Sequence, residues 1–110
     1  MSCQHSDLAA GRWKTMSFMA QMANVGSEVE RALKRRESGE TKSCTLAFER
    51  ALELIDLTIA DERNIGRVGE LTRAREVLAD NLVGDNSYST TDESWRKYFG
   101  VFAQAARRNT

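Results

Sequence analysis

The sequence contains no proline, one histidine and two cysteines among its 110 residues. Proline breaks helix interiors, so its absence leaves a chain free to consist of helices joined by short turns. Two distant cysteines, Cys3 and Cys44, do not form a disulfide framework. No stretch approaches the roughly 20 apolar residues of a membrane span, and no basic start followed by an apolar run indicates a secretion signal. We therefore expect a reduced, cytoplasmic protein without a membrane partner.

The shortage of histidine also limits the chemistry that the sequence supports. His5 lies with Cys3 in a polar segment, which offers two metal ligands where structural zinc takes four. Without a second histidine, the Glu-x-x-His pattern of di-iron bundles is missing, and a nucleophilic triad has only His5 as its base. Asp80, Asp85 and Asn86 supply too few oxygen ligands for calcium. The sequence therefore predicts no catalytic, cofactor or metal site, and a protein that is not an enzyme.

What the sequence does contain is four amphipathic segments of helical length, separated by short polar turns. In each of them apolar residues recur with the helical period of about 100° per residue. Residues 1–11 are polar and aperiodic, which predicts a flexible tail. Because short turns force neighbouring helices to run antiparallel, the sequence predicts an all-α domain over residues 12–110, folded as an up-down-up-down four-helix bundle. The segments are residues 12–37, 41–60, 65–83 and the stretch from Thr91 onward.

Two local predictions accompany this fold. Thr90 and Glu93 have the spacing of a capping box, in which two side chains satisfy unpaired N–H groups at a helix start. The apolar stripes also place four large side chains in the core, where we expect them to be nearly fully buried. These are Phe48, Leu52, Phe99 and Phe102.

Arg75 is a charged residue that the helical period places inside an apolar stripe, between Leu71 and Leu78. A buried arginine needs a paired carboxylate, because a stranded charge costs several kcal/mol. Counting outward from the turns brings Arg75 level with Glu30 and Glu49, which we predict as its partners in a buried ion pair. One alternative is that Arg75 extends out of a narrow apolar seam to solvent. Another is that it binds an anion or takes part in catalysis in a cavity of the bundle.

The balance of charge excludes a broad attraction to nucleic acid, but it leaves room for a local patch. Sixteen basic and sixteen acidic residues give a formal net charge of zero. The up-down topology nevertheless gathers basic residues at one end of the bundle. Solvated helix ends explain this clustering, and an end that binds RNA or another anion is the alternative. The residues of this basic end are Arg12, Lys14, Arg63, Arg67, Arg107 and Arg108.

The second segment carries a thin apolar row opposite its core face. Leu46 and Leu57 lie three turns apart on this face, and Leu54 lies on its flank. Scattered exposed leucines are normal on protein surfaces. A row on an otherwise charged face, in contrast, predicts a homodimer in which the second helix packs against its own copy.

Four stretches, residues 20–24, 28–32, 48–56 and 90–95, resemble a family of small, uncharacterised prokaryotic helical proteins. That resemblance covers about residues 12–109 and implies no activity. A looser resemblance is to HEPN-type bundles, which are often partners of nucleotidyltransferases or RNases. In their nuclease motif a histidine follows an arginine, whereas here His5 precedes every arginine. The second resemblance therefore implies binding or antitoxin-like roles without RNase activity.

These features together predict a non-enzymatic interaction or scaffold protein, acting as a homodimer or with another protein. The alternative is an RNA- or nucleotide-associated bundle that uses the basic end. Salt distinguishes the two, because binding to phosphates weakens steeply with rising salt and an apolar interface does not.

Overall fold

The computed structural model describes residues 11–108, and for Leu82 and Val83 it describes the backbone only. This part of the chain is built from helices and contains no strand, so the all-α prediction is confirmed. A 3₁₀ segment, Glu62–Arg67, precedes the third long helix, and residues 11–13 are also helical. The long helices are α1, Phe18–Glu37; α2, Thr41–Ala60; α3, Val68–Val83; and α4, Asp92–Arg108.

α1 is the central helix of this arrangement. α2 and α4 both pack against it, and α3 packs mainly against α2. At one end of the α1–α4 pair Arg36 binds Asp92 at 2.7 Å, and at the other end the ring centroids of Phe18 and Phe102 lie 5.7 Å apart. α4 therefore runs antiparallel to α1. The turn into α2 contains Gly39, whose φ of +75° is the left-handed conformation that glycine adopts just past a helix end.

The core lies along the inner face of α1. Phe48, Phe99 and Phe102 are buried as predicted, with at most 9% of each side chain exposed. Leu52 is only partly buried, so the prediction of its near-complete burial is wrong. It follows Ala51, which faces α1, and is therefore turned by about 100° toward the flank of the helix. The other buried apolar residues are Trp13, Met22, Val25, Val29, Ala32, Leu33, Ala47, Ala51, Ile55, Leu71, Leu78 and Trp95.

The first helix starts later than the sequence predicts. α1 begins at Phe18 rather than Arg12, because Ser17 caps it: its Oγ accepts a hydrogen bond from the N–H of Ala20 at 3.1 Å. Trp13 lies before this cap and is only 5% exposed, so it belongs to the core. The predicted tail, residues 1–11, lies outside the described residues except for its last position, which is helical.

The third helix also begins differently. In place of an α-helix from residue 65, the chain forms a 3₁₀ segment in which Asn64 has φ −100° and ψ 16°. The Nδ2 of Asn64 donates to the carbonyl of Thr58 at 3.0 Å and to Oε1 of Gln21 at 2.9 Å. These buried bonds hold the backbone at residue 64 out of α-helical geometry, and the α-helix starts only at Val68.

The cap of α4 uses different residues from those that the spacing predicts. Thr91 Oγ1 accepts a hydrogen bond from the N–H of Ser94, Ser94 Oγ accepts one from the N–H of Thr91, and both distances are 3.1 Å. This is the reciprocal pattern of a capping box, displaced by one residue from the predicted Thr90 and Glu93. Thr90 is engaged elsewhere, since its Oγ1 accepts from Nδ2 of Asn81 at 2.8 Å.

Candidate functional site

A buried polar network joins the segment before α1, the end of α2 and the 3₁₀ segment. Gln21 Nε2 donates to the carbonyl of Trp13 at 2.9 Å and to Asp61 Oδ2 at 2.8 Å. Asn64 Nδ2 donates to Gln21 Oε1 at 2.9 Å, and Trp13 Nε1 donates to Thr58 Oγ1 at 3.0 Å. Because these groups satisfy one another, the network fixes the shape of this end of the protein. Sequence reasoning did not identify it.

Asp61 is the charged centre of the network. Arg63 donates from Nε to Oδ1 at 3.1 Å and from Nη2 to Oδ2 at 2.6 Å, and the same Nη2 donates to the carbonyl of Met16 at 2.8 Å. The hydrogen bond from the Arg63 side chain, joined by the one from Gln21, holds the pKa of Asp61 far below its usual range, although burial acts in the opposite direction. A carboxylate stabilised in its charged form is a structural partner and a poor general base near neutral pH.

A groove opens between α1 and α4, with a volume of about 340 Å³. Four of its lining residues are buried core side chains, Val29 and Leu33 from α1 and Trp95 and Phe99 from α4. The groove therefore has an apolar, largely aromatic base. Its remaining walls consist mostly of small residues, namely Ala23, Gly26, Ser27, Gly100 and Ala103.

Two glycines shape this groove in different ways. A Cβ added at Gly26 would lie 2.7 Å from the Cβ of Phe99, so Gly26 allows α1 and α4 to approach closely. A Cβ added at Gly100 would meet nothing within 4 Å. Glycine inside a helix costs roughly 0.5–1 kcal/mol relative to alanine. Gly100 therefore carries this cost although no contact within residues 11–108 requires a glycine there.

Trp95 brings an unused hydrogen-bond donor to the groove lining. Its side chain is 6% exposed and stacks against Phe99 with an interplanar angle of 24°. Its indole Nε1 is buried and has no hydrogen-bond partner within residues 11–108. A buried N–H without an acceptor is unfavourable by about 1–3 kcal/mol.

The charged side chains at the rim of the groove form ion pairs. Arg96 Nε donates to Glu30 Oε1 at 2.9 Å, and its Nη2 donates to Glu37 Oε2 at 3.1 Å. Arg31, nearby on α1, is bound to both oxygens of Glu28 at 2.8 and 2.9 Å. Lys34 lies 3.9 Å from the other oxygen of Glu30, and 70% of its side chain is exposed. Lys34 is therefore the cation of this rim that is most open to a further carboxylate.

The structure does not bring Arg75 to either predicted partner. Arg75 Nε donates to Asp56 Oδ1 at 2.8 Å, and 38% of its side chain is exposed. Glu30 binds Arg96 instead, and Glu49 is exposed. The predicted buried pair is therefore wrong: α3 packs mainly on α2, so its apolar seam is narrow and Arg75 extends out of it. An exposed pair of this kind contributes about 0–1 kcal/mol.

Two of the basic residues predicted at one end of the bundle, Arg63 and Arg67, contact the start of α1 and the segment just before it. Arg63 reaches the carbonyl of Met16, and the guanidinium carbon of Arg67 lies 4.1 Å from the centre of the Phe18 ring. Phe18 also packs on Phe102, which brings the last turns of α4 to this end. Binding of RNA or another anion there stays a prediction. The other four residues of the basic end are exposed: Arg12, Lys14, Arg107 and Arg108.

The leucine row on α2 is less exposed than its spacing suggests. Leu46 has 55% of its surface exposed. Leu54 and Leu57 are partly buried and pack against the core of their own chain. The row is therefore not a continuous apolar surface, and the dimer that it predicts depends chiefly on Leu46.

Within residues 11–108, no group of three or more His, Cys, Asp or Glu side chains lies close enough together to hold a metal ion. Asp80, one of the carboxylates considered for calcium, instead accepts the N–H groups of Ser87 at 2.9 Å and Tyr88 at 3.0 Å. The bond from Tyr88, followed by those from Ser87, lowers the pKa of Asp80. Asp80 therefore orders the loop before α4. Cys3 and His5 lie outside the described residues.

Comparison with known proteins found nothing similar to this chain. No protein-family model matches it, and searches of curated proteins and of solved structures gave no match. The resemblances to prokaryotic helical proteins and to HEPN-type bundles therefore stay predictions. In the part of the chain that the structure describes, no helix combines the length and the apolar character that crossing a bilayer requires.

Proposed function

We propose that this chain is a non-enzymatic interaction protein whose groove between α1 and α4 receives a helix of a partner protein. The observation that carries the proposal is an apolar groove of about 340 Å³ with small residues on both walls. Small side chains let the backbone of a third helix approach α1 and α4 closely. An amphipathic helix laid into an apolar groove is a recurrent mode of recognition.

Gly100 carries a cost that such a partner would offset. It weakens α4, and a Cβ built there meets no other part of residues 11–108 within 4 Å. The backbone of a docked helix would use this space.

The rim charges select the kind of helix that fits. Arg96 and Lys34 already share Glu30, and Lys34 remains largely exposed. A partner helix with an apolar stripe and acidic residues on the edge that faces Lys34 complements this exposed charge, and such complementarity favours specific pairing.

The polar groups inside the protein support a non-enzymatic role. Asp61 is held in its charged form by Arg63 and Gln21, and Asp80 caps the loop before α4. Both carboxylates have lowered pKa values because their hydrogen bonds stabilise the ionised form. Their chemistry is therefore committed to holding the fold.

We also propose that the four long helices complete an antiparallel up-down-up-down bundle. The polar contacts between α1 and α2 and between α2 and α3 support this arrangement, because the paired residues lie about equally far from the turn that joins their helices. These contacts are Glu28 to Arg50 at 3.3 Å and Asp56 to Arg75 at 2.8 Å. α3 and α4 pack little on each other and are joined by the hydrogen bond from Tyr98 to Glu70 at 3.4 Å.

A second candidate function is an RNA- or nucleotide-associated bundle that uses the basic end. The contacts of Arg63 and Arg67 with the start of α1 and the segment just before it favour this function. If this were the function, affinity for an RNA oligonucleotide would fall steeply with salt. Replacing Lys14 and Arg108 by Gln would then reduce the slope of that fall.

A photo-crosslinking amino acid at position 100 tests the groove. It is placed in the full-length protein produced in its native host, with the same substitution at Glu76 as the matched control. Both positions are exposed and lie in helices, and Glu76 lies outside the groove lining and three turns from Ile65. We expect one defined adduct from position 100 and none from position 76.

The crosslinked peptide decides the rest of the proposal. It should lie in an amphipathic helix with acidic residues on one edge, and Ala103→Glu should prevent the adduct. Equal adducts at both positions, none at position 100, or a crosslinked segment that is not helical would each reject the groove as the docking site.

A further inference from the structure

The turn between α2 and α3 presents a large apolar side chain to solvent. Ile65 is 78% exposed, more than Val101 at 62% or Leu46 at 55%. It lies in the 3₁₀ segment at the basic end and outside the groove between α1 and α4. An apolar side chain that is exposed to this degree gains free energy as soon as a partner covers it.

The backbone around Ile65 is held firmly. Its neighbour Asn64 is 4% exposed and donates hydrogen bonds to Gln21 and to the carbonyl of Thr58. Asp61, four residues before Ile65, accepts from the N–H of Arg63 at 3.0 Å. The buried network therefore fixes the position of Ile65, so little conformational entropy is lost when a partner binds it.

Arginines lie two residues before and two residues after Ile65 in the 3₁₀ segment. Arg63 is anchored to Asp61 and to the carbonyl of Met16, and Arg67 is held against the ring of Phe18. Pre-positioned arginines around a central apolar anchor are typical of the residues that dominate protein–protein binding energy. Arg12 and Lys14 add exposed positive charge at the same end.

We infer that Ile65 and the basic end around it form a docking surface for an acidic protein that offers an apolar pocket to Ile65. Charge complementarity defines the acidic rim of that partner. A protein fits better than RNA, because the exposed anchor is an aliphatic side chain, and an apolar pocket for it is a feature of protein surfaces. Since Arg63 is paired with Asp61, the attraction to an acidic rim comes chiefly from Arg67, Arg12 and Lys14.

Fluorescence anisotropy with defined probes tests this inference on the full-length protein. The main probe is a labelled helical peptide of glutamate and leucine, compared with poly-glutamate, with oligouridylate and with vesicles containing phosphatidylserine. All measurements use the Ala103→Glu background, so that the groove between α1 and α4 is closed to the peptide. We expect the glutamate–leucine peptide to bind most tightly. Ile65→Ser should weaken its binding by about tenfold or more, since the apolar anchor is lost.

Two further variants make the outcome decisive. Leu46→Ser removes another exposed apolar side chain, near the start of α2 and away from the basic end. This variant should leave the affinity for the peptide unchanged. Lys14→Gln should weaken binding at low salt and flatten its salt dependence. The inference is overturned if Ile65→Ser binds as wild type does. It is equally overturned if RNA or vesicles bind more tightly than the peptide, or if no probe binds.

Discussion

Gln21 of α1 and Asn64 of the 3₁₀ segment, 43 residues apart in the sequence, share a buried hydrogen bond of 2.9 Å. Through it the central helix fixes the turn that carries Ile65. The same Gln21 holds the carboxylate of Asp61 and the carbonyl of Trp13. One side chain therefore connects the segment before α1, the end of α2 and the 3₁₀ segment that we infer to be part of a docking surface.

Stability should depend on the charge of Asp61. Its folded-state pKa lies well below its ordinary value of 3.8, chiefly because of Arg63. The ionised form therefore contributes stability that is fully present above about pH 4 and is lost as the pH falls toward the folded-state pKa. Asp61→Asn should lower the free energy of unfolding near neutral pH by roughly 1.5–3 kcal/mol and should flatten its decline in acid.

Urea unfolding at a series of pH values measures both effects. Asp56→Asn is the matched control, because Asp56 also pairs with an arginine but is 56% exposed. We expect this control to change stability by about 1 kcal/mol at most. If the Asp61 variant declined in acid as steeply as wild type, Asp61 would not be the group responsible.

The two groove glycines should respond to alanine with opposite signs. Gly26→Ala places a Cβ 2.7 Å from the Cβ of Phe99, so α1 and α4 must move apart. We expect a loss of about 1–3 kcal/mol. Gly100→Ala has open space and should gain roughly 0.5–1 kcal/mol from better helix propensity.

Chemical denaturation of both variants gives this comparison directly. A destabilised Gly100→Ala would mean that α4 is not continuous at this position. A neutral Gly26→Ala would mean that the helices separate at little cost, and the close approach of α1 and α4 would lose its significance for the groove.

The core should be most sensitive at Phe102. Its ring packs edge-on against Phe18 and Tyr98, with centroid distances of 5.7 Å and 5.4 Å. Phe102→Ala should cost roughly 3–5 kcal/mol from lost burial and a cavity. Leu52→Ala should cost clearly less, because Leu52 is only partly buried. Equal unfolding midpoints for the two variants would contradict this order.

Periodicity alone was sufficient to predict the helices. The bounds of α2, residues 41–60, agree with the predicted ones because Gly39 ends the preceding helix and the apolar period is regular. The delayed start of α1 was less visible, although Ser17 before Phe18 is an ordinary N-cap signal. Trp13 was missed because it precedes that cap and belongs to no stripe.

The polar network and the place of Arg75 could not be read from periodicity. Period-based reasoning assigns polar residues such as Gln21 and Asn64 to solvent, whereas two of their bonds reach partners 40 and 43 residues away. The helical period predicts Arg75 in the core because it places this residue within an apolar stripe. The packing of α3, which is mainly against α2, leaves room for Arg75 to pair with Asp56 at the surface.

The last prediction concerns self-association through α2, for which Leu46 is the exposed apolar residue. Leu46→Glu should leave the free energy of unfolding within about 0.5 kcal/mol of wild type, since the side chain makes little contact within its own chain. In a homodimer through α2, the same variant would place two like charges near the symmetry axis and favour the monomer. Sedimentation of wild type and variant measures the shift.

Leu57→Glu tests whether Leu57 belongs to a dimer interface or to the core of its own chain. Leu57 packs partly against the core of its own chain, so a carboxylate there should destabilise the fold as well as any interface. We therefore expect this variant to unfold at lower urea than Leu46→Glu does. A wild type that sediments as a monomer at high concentration ends the dimer proposal. A Leu57→Glu protein that stays fully stable but dissociates would restore the leucine row as the interface.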